Sequence, residues 1–245
     1  MTKATKGIDL TGHRILIAGA AGGIGRATAH ACAELGASLV LSDIADTDAL
    51  AAEIRAAGGA AESRACDIAD RAAVEAMADA VGAVDGIVAT FGFQPFDDWQ
   101  ADDWEDAFHK VMDINVLGPL HLARAYMDRM AARGGGRIIL VGSLAGRIGG
   151  LVSPPHYVAS KGAVHSLVRW LARRGVAQNV LVNGIVPGPT DTPMMDGTLP
   201  DGSMLPMQRV AEAEEVAWPT AFLLTPGASY ISGTLLDVNG SLAYS

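Results

Sequence analysis

Short apolar runs alternate along this chain with longer segments that have helical periodicity. Several of the short runs are apolar on both faces, which is typical of strands buried in a parallel sheet. We predict strands at Arg14–Gly19, Ser38–Asp43, Gly86–Phe91, Arg137–Ser143, Val180–Pro187 and Thr234–Gly240, with a weaker strand at Ala61–Cys66. The pattern therefore predicts a sheet whose strands run parallel and lie inside the protein.

The periodic segments between these runs predict the helices. They lie at Gly23–Leu35, Asp46–Ala57, Arg71–Val81, Asp102–Arg133, Tyr157–Gly175 and Ala211–Leu224. Because strand and helix alternate throughout, the expected fold class is α/β, a doubly wound, Rossmann-like parallel sheet with helices on both faces. In such a fold the ligand crevice lies beyond the carboxyl ends of the strands. No break in composition divides the chain, so we expect one domain over residues 1–245.

Two segments interrupt this regular alternation. Pro119 falls inside the longest predicted helix and is expected to bend or interrupt it there. The stretch from residue 187 to residue 209 is rich in Pro, Gly and Met. A loop of that length in a compact domain is more often functional than accidental, so residues 188–209 are predicted to form a substrate loop.

The formal net charge of −9 makes nucleic acid and anionic membrane surfaces poor partners for this chain. No apolar run approaches the length of a membrane span, and none precedes Ile15, so a cytoplasmic protein is expected. Cys32 and Cys66 are too few for a disulfide framework, and we interpret both as free structural thiols. No metal site is predicted.

Gly19, Gly23 and Gly25 fall between the first predicted strand and the first helix. Glycines there permit a tight turn and let a pyrophosphate approach the amide N–H groups at the helix start. The spacing GxxxGxG differs from the commoner GxGxxG and, taken alone, suits an ordinary strand-to-helix turn equally well. Asp43 ends the second strand, where a carboxylate accepts hydrogen bonds from ribose hydroxyls and opposes a 2′-phosphate. The combination predicts NAD in preference to NADP.

Two of the acidic residues have an alternative interpretation. Asp43 would also suit a cap of the following helix, although Asp46 and Thr47 are available for that. Asp67 follows the weak third strand, where it either touches the adenine or is an ordinary loop carboxylate.

Tyr157 and Lys161 are four residues apart in a predicted helix, so they lie on one face. A phenol has an ordinary pKa of about 10, and a nearby ammonium is expected to lower that pKa. Ser143 ends a strand at the crevice, where its hydroxyl either binds a substrate oxygen or caps a turn. Asn115 lies within the long helix, where its amide either satisfies backbone groups or holds a water.

Together these motifs resemble the classical short-chain dehydrogenases/reductases. The resemblance spans nearly the whole chain, through GAAGGIG, CDIAD, DINVLG, VGSLAG, YVASK, NGIVPGPTDTP and ISGTLLDVNG. It implies hydride transfer between a nicotinamide cofactor and an alcohol or ketone, with Tyr157 as general acid/base and Ser143 orienting the substrate oxygen. Lys161 would bind the nicotinamide ribose, and Asn115 would position a water. The implied cofactor-binding residues are Gly19, Gly23, Ile24, Gly25, Asp43, Asp67, Ile68, Gly92, Tyr157, Lys161, Pro187, Gly188, Thr190 and Thr192.

Two segments depart from the family pattern. Where the family carries NNAG after the fourth strand, this chain has ATFG at residues 89–92. Thr90 can replace only part of the hydrogen bonding of the usual asparagine, and Phe91 and Phe93 are candidates for the cleft wall. Near the end the usual DGG is NGS at residues 239–241, a change that concerns subunit contacts and not the chemistry.

The substrate is predicted to be a small to medium, mostly apolar secondary alcohol or its ketone. Arg209 is the cation that stands out in the long loop, which gives a coenzyme A or carrier-protein thioester little support. His156 either contacts substrate or faces solvent at the helix start, and the methionines suit either a pocket or the core. The substrate-facing candidates are Leu144, Val152, His156, Met194 and Met195, with Met204 and Met207.

Two other functions stay open at this point. A 3-oxoacyl thioester reductase using NADPH would share every catalytic residue, but Asp43 argues against its cofactor. A non-catalytic nucleotide-binding protein would keep the fold without turnover. Enoyl reductases of the wider family space the tyrosine and lysine further apart.

The resemblance also implies a homotetramer, or a homodimer, built through the two long helices. Val164, Leu167, Val168 and Leu171 suit either that seam or an internal core.

Overall fold

The computed structural model describes residues 7–150, 152–195 and 197–244, so residue 196 of the predicted substrate loop lies outside it. Within that part of the chain, seven parallel strands form one sheet in the order β3-β2-β1-β4-β5-β6-β7. The strands are β1 Arg14–Ala18, β2 Ser38–Asp43, β3 Ala60–Ala65, β4 Gly86–Ala89, β5 Gly136–Val141, β6 Val180–Pro187 and β7 Leu235–Val238. The strand order reverses between β1 and β4, which confirms the predicted doubly wound α/β class.

The helices cover both faces of this sheet. They are α1 Gly23–Glu34, α2 Asp48–Ala56, α3 Arg71–Val81, α4 Trp104–Met112, α5 Gly118–Ala132, α6 Ala145–Ile148, α7 Pro155–Gly175 and α8 Ala213–Leu224. The sequence pattern missed α6, because a helix of four residues is too short to show a period. Helix α7 begins two residues before the predicted start, so Tyr157 lies in its first turn.

Alternate residues of the central strands pack against opposite helical layers. Leu16 and Ala18 of β1 lie in a core with α3, α5 and α7, whereas Ile15 and Ile17 lie in a second core with α1, α2 and α8. Both faces of these strands are therefore buried, which explains why their sequences are apolar throughout.

The two cysteines lie on opposite sides of the sheet, Cys66 in the first of these cores and Cys32 in the second. Both are free thiols. Burial raises the pKa of Cys32 to about 12 and that of Cys66 to about 11. The thiolate forms are thus disfavoured, and both side chains act as small apolar groups.

The predicted long helix Asp102–Arg133 is three elements and not one bent helix. Helix α4 ends at Met112, residues Asp113–Leu117 form a π-helical turn, and α5 begins at Gly118. The interruption therefore precedes Pro119. Proline is tolerated there because it falls in the first turn of α5, where the loss of an N–H is cheap.

Three of the four residues proposed for a subunit seam belong to the internal core. Val164, Val168 and Leu171 are each at most 2% exposed and pack in the layer of α3, α5 and α7. Their face of α7 turns towards the sheet, so their apolar character is explained within one chain. Within the described residues, each helix is too short or too polar to cross a membrane.

Tyr126 gives a test of the core. Its side chain is fully buried, and its hydroxyl has no hydrogen-bond partner among the described residues. An unpaired buried hydroxyl is costly, so Tyr126→Phe is expected to leave the free energy of unfolding unchanged or to raise it by about 1 kcal/mol. Leu122→Ala, in the same layer, is expected to lower it by about 2–5 kcal/mol because it opens a cavity. Urea denaturation measures both; a clear loss of stability in Tyr126→Phe would contradict this assignment.

Candidate active site

The carboxyl ends of β1, β4, β5 and β6 open onto one cleft of about 210 Å³. It lies beside the point where the strand order reverses, as expected for a doubly wound sheet. The predicted site residues that line it are Gly23, Ile24, Gly25, Gly92, Ser143, Leu144, Val152, Tyr157, Lys161, Pro187, Gly188, Thr190, Thr192, Met194 and Met195. Those that do not line it are Gly19, Asp43, Asp67, Ile68, Asn115 and His156.

The turn between β1 and α1 has room for glycine alone at two positions. Gly19 has a φ of +89°, and a Cβ there would lie 2.4 Å from the backbone nitrogen of Phe91. A Cβ on Gly25 would lie 2.0 Å from the carbonyl oxygen of Gly19. The backbone of the turn thus folds onto the start of α1 without any side chain between them.

The start of α1 is open to an anionic ligand. Gly22, its N-cap residue, makes no side-chain capping bond, and the first turn holds no acidic residue. The free N–H groups and the positive end of the helix therefore face the cleft, an arrangement that suits the pyrophosphate of a dinucleotide. Thr192 closes over this turn, since a Cβ on Gly23 would lie 2.7 Å from its Cγ2.

Asp43 lies at the end of β2 and is tied to the glycine turn. Its carboxylate accepts hydrogen bonds from the backbone nitrogens of Ala21, at 3.0 Å, and Ala45, at 3.1 Å. The alternative role as a cap of α2 is wrong, because that helix begins only at Asp48. The carboxylate is therefore held beside the turn that fits the dinucleotide.

Asp67 and Ile68 lie outside the cleft wall. Asp67 is exposed and its carboxylate accepts a hydrogen bond from the backbone nitrogen of Ala69, at 2.9 Å, which is a local turn. Ile68 is 8% exposed and packs in the core layer of α3, α5 and α7.

Tyr157, Ser143 and Lys161 lie together where α7 meets the end of β5. The Ser143 side chain lies close enough to the Tyr157 hydroxyl to affect its pKa. Ser143 Oγ accepts a hydrogen bond from the backbone nitrogen of Ala145 at 3.1 Å, which closes a local turn just before α6. Lys161 Nζ donates to the Val141 carbonyl at 2.9 Å and lies 5.6 Å from the centre of the Tyr157 ring.

Burial shifts the pKa values of Tyr157 and Lys161. It raises the pKa of Tyr157 to about 12, although the Ser143 side chain acts in the opposite direction. It also lowers the pKa of Lys161 to about 8. The expectation that Lys161 would hold the pKa of Tyr157 down is therefore not met here, because a nearly closed site disfavours both charged forms. Tyr157 is protonated at neutral pH.

Asn115 lies on the π-helical turn and uses its amide for structure. Its Oδ1 accepts a hydrogen bond from the Phe93 nitrogen at 2.8 Å, and its Nδ2 donates to the Phe93 carbonyl and to Ser160 Oγ, both at 3.0 Å. Of the two interpretations of the side chain, the structure therefore shows the one in which it satisfies backbone groups.

The unusual ATFG segment keeps its contacts to the glycine turn. Thr90 Oγ1 lies 2.9 Å from the Ala18 carbonyl and 3.0 Å from that of Gly19. Phe91 lines the cleft, as predicted. Phe93 does not line it, and the Lys110 ammonium instead lies 4.7 Å from its ring centre.

Several substrate-facing candidates lie elsewhere. His156 is fully buried, so neither substrate contact nor solvent exposure describes it. Met204 is 82% exposed, and Met207 lines a second, larger cavity of about 500 Å³ formed with the C-terminal residues. That cavity lacks Ser143 and Tyr157, so its size does not make it the active site.

Sequence reasoning missed Gln94, Ile148 and Ser153, which all line the cleft. Gln94 Nε2 donates to Ser153 Oγ at 3.2 Å. Gln94 and Ser153 lie in irregular segments and Ile148 ends the four-residue helix α6, so no periodicity indicates which of these side chains turns inwards. Within the described residues, no cluster of His, Cys, Asp and Glu could hold a metal ion.

A family model described as enoyl-(acyl carrier protein) reductase matches residues 19–242. A curated relative, the cis-4-hydroxycyclohexanecarboxylate dehydrogenase of Sinomonas cyclohexanicum, is 34% identical over 92% of this chain and 94% of its own length. The chain belongs to the short-chain dehydrogenase/reductase family. It is an oxidoreductase of that family.

Two solved structures of this family share the fold and hold nicotinamide cofactors. A 7α-hydroxysteroid dehydrogenase complexed with NADH and 7-oxo glycochenodeoxycholic acid has a TM-score of 0.91 and 31% identity, over 98% of both chains. A blue fluorescent protein from a metagenomic library, in complex with NADPH, has a TM-score of 0.88 and 30% identity, over 96% of this chain and 100% of that one. Both the NAD and the NADP type of cofactor therefore occur on closely similar folds.

The glycine turn of this short-chain dehydrogenase/reductase gives a test of cofactor binding. Gly25→Ala is expected to weaken NADH binding by at least about tenfold, or about 1.4 kcal/mol, because the new Cβ must displace the Gly19 carbonyl. Gly162→Ala is the matched control, since its Cβ would lie 3.6 Å from the nearest atom, the Gly146 oxygen. Titration of NADH fluorescence measures both affinities. Equal affinity for the two variants would place the dinucleotide elsewhere.

Proposed function

We propose that this oxidoreductase interconverts a small to medium, mostly apolar secondary alcohol and its ketone, with NAD(H) as cofactor. The observation that carries the proposal is the position of Tyr157, Ser143 and Lys161 together in the wall of the cleft. The same cleft reaches the open start of α1 and the glycine turn. A proton donor and a turn that fits a dinucleotide thus share one cleft.

The residues around the cleft fit a nicotinamide dinucleotide. The glycine turn would hold its pyrophosphate, Asp43 its adenosine ribose and Lys161 its second ribose, with Pro187, Gly188, Thr190 and Thr192 along the nicotinamide. When bound, this cofactor supplies or accepts the hydride.

Tyr157 is the proposed proton donor and acceptor. A phenol is already protonated at neutral pH, and burial raises the pKa of Tyr157 further, to about 12, so this side chain can donate to the oxygen of a ketone. In the oxidative direction Tyr157 would first have to release its own proton, and its phenolate form would then accept the proton of the alcohol. Ser143 would hydrogen-bond the same oxygen, since it lines the same cleft as Tyr157.

Asn115 takes a supporting role in this proposal. Its side chain is committed to Phe93 and Ser160, so a water would have to bind its backbone carbonyl. In an α-helix the Asn115 carbonyl would accept a hydrogen bond from the N–H of residue 119. Residue 119 is proline and has no N–H, so it cannot fill that position.

An apolar substrate is supported by the composition of the cleft wall. Phe91, Leu144, Ile148, Val152, Met194 and Met195 line it. Among the described lining residues only Lys161 has a charged side chain, and its ammonium already donates to the Val141 carbonyl. The curated relative is named for a hydroxycyclohexanecarboxylate and one related structure binds 7-oxo glycochenodeoxycholic acid, so both names combine an apolar ring system with an acid group.

For the alternative function, a thioester reductase, Arg209 is not available as the cation that would bind the substrate. Arg209 makes two hydrogen bonds to the carboxylate of Glu215, at 2.6 and 2.7 Å, and lines the second cavity instead of the cleft. The guanidinium is therefore neutralised and turned away from a phosphate-bearing substrate in the cleft.

A panel of secondary alcohols and ketones, followed at the NADH absorbance band, tests the activity. The best substrate is expected to be uncharged and largely apolar. Tyr157→Phe is expected to lower kcat by about 10²–10⁴-fold, since general acid/base catalysis is worth about that much. Its affinity for NADH should stay unchanged, because the phenol is not part of the glycine turn.

Two results would reject this assignment. Retention of most activity by Tyr157→Phe would remove the proton-transfer role. Binding of NADH without turnover of any compound would favour a non-catalytic protein.

Asp43 gives a separate test of cofactor choice. NAD is expected to give a kcat/KM at least about tenfold higher than NADP, an energy of about 1.4 kcal/mol, because the carboxylate opposes a 2′-phosphate. Asp43→Ser should reduce or reverse that preference. Asp46→Ser is the matched control, since that carboxylate bonds only to the nearby Asp48 nitrogen and should leave the ratio unchanged. An unaltered ratio in Asp43→Ser would show that another residue selects the cofactor.

A further inference from the structure

His156 directly precedes Tyr157 and is fully buried without lining the cleft. Its Nε2 lies 3.1 Å from both carboxylate oxygens of Asp97. Its Nδ1 accepts a hydrogen bond from the backbone nitrogen of Tyr157 at 2.8 Å. The imidazole thus bridges the carboxylate of Asp97 and the backbone of Tyr157.

These partners determine the tautomer of the ring. Nδ1 accepts from an N–H group, so the proton of the neutral ring lies on Nε2 and is donated to Asp97. Trp104, the first residue of α4, stacks on the imidazole with the ring centres 5.4 Å apart and the planes 7° from parallel. Both the orientation and the proton position of His156 are therefore defined.

Asp97 belongs to the segment between β4 and α4, residues 90–103, which we call the β4–α4 segment. This segment supplies Phe91, Gly92 and Gln94 to the cleft wall. The bond to His156 joins it to the first turn of α7, where Tyr157 lies.

The first turn of α7 needs such an acceptor. Pro154 is its N-cap residue and makes no side-chain capping bond. The Tyr157 N–H would otherwise be one of the unpaired groups that every helix start leaves. His156 Nδ1 satisfies it from inside the turn, and Asp97 holds the ring in place by a charge-assisted hydrogen bond.

We propose that His156 is a positioning residue, which holds Tyr157 in place in the cleft wall by linking the β4–α4 segment to α7 through Asp97. The part of this proposal that concerns turnover rests on the proposed role of Tyr157 as proton donor. The link itself is a property of the fold.

Asp97→Asn is the first test, because it removes the charge while keeping the shape of the side chain. We expect kcat to fall about tenfold, the scale of a lost charge-assisted hydrogen bond, with KM and the affinity for NADH little changed. Asp98→Asn is the matched control, since that carboxylate accepts only from the nearby Gln100 nitrogen. It should leave kcat unchanged.

A pair of variants at position 156 separates positioning from bulk. His156→Gln keeps a donor for Asp97, whereas His156→Leu removes it. We expect His156→Gln to recover part of the kcat that His156→Leu loses. Equal kcat values for these two variants would overturn the role of the donor.

Amide hydrogen exchange of residues 90–103 and 155–160, followed by mass spectrometry, tests the link without any substrate. Asp97→Asn is expected to speed exchange in both segments, and Asp98→Asn in neither. If the wild type turns over no compound, the proposed function fails while this readout still decides the link. Unchanged exchange in Asp97→Asn overturns the link, and faster exchange with an unchanged kcat in an active enzyme overturns the positioning role.

Discussion

The hydrogen bond from Lys161 Nζ to the Val141 carbonyl joins α7 to the end of β5 inside the protein. It fixes the helix that carries Tyr157 against the strand end that precedes Ser143. Close backbone packing supports it, because a Cβ on Gly146 would lie 2.6 Å from the backbone of Lys161 and Gly162. The hydroxyl pair, the cleft wall formed by α6 and the depth of the site all depend on this docking.

Enclosure of the site favours neutral groups throughout. Tyr157 and Lys161 both have pKa values moved by burial towards their uncharged forms. Burial likewise lowers the pKa of His165 to about 4, and its Nε2 lies 3.4 Å from the Ser143 nitrogen. A cleft with few charges suits a substrate that is itself largely apolar, since such a molecule leaves little polar surface unpaired.

The segment that departs from the NNAG pattern still contacts the glycine turn. The Thr90 hydroxyl donates to the carbonyls of Ala18 and Gly19. The Phe91 ring packs against Gly118, where a residue with a side chain would clash with it. Two hydrogen bonds hold the β4–α4 segment, one from its backbone to Asn115 and one from α7 to its own Asp97. In both, the two partners are far apart along the chain. The substitution is therefore compatible with an intact cleft.

The sequence alone determined the order of the strands and of most helices, because period and burial on both faces are local properties of each run, but it missed α6 and the break between α4 and α5. It also placed Tyr157 and Lys161 on one face, since helical geometry sets that spacing. The tertiary structure decided the burial of His156, whose partner Asp97 is 59 residues away, and the upward shift in the Tyr157 pKa. Both depend on which distant segments exclude water from a side chain, and no local pattern encodes that.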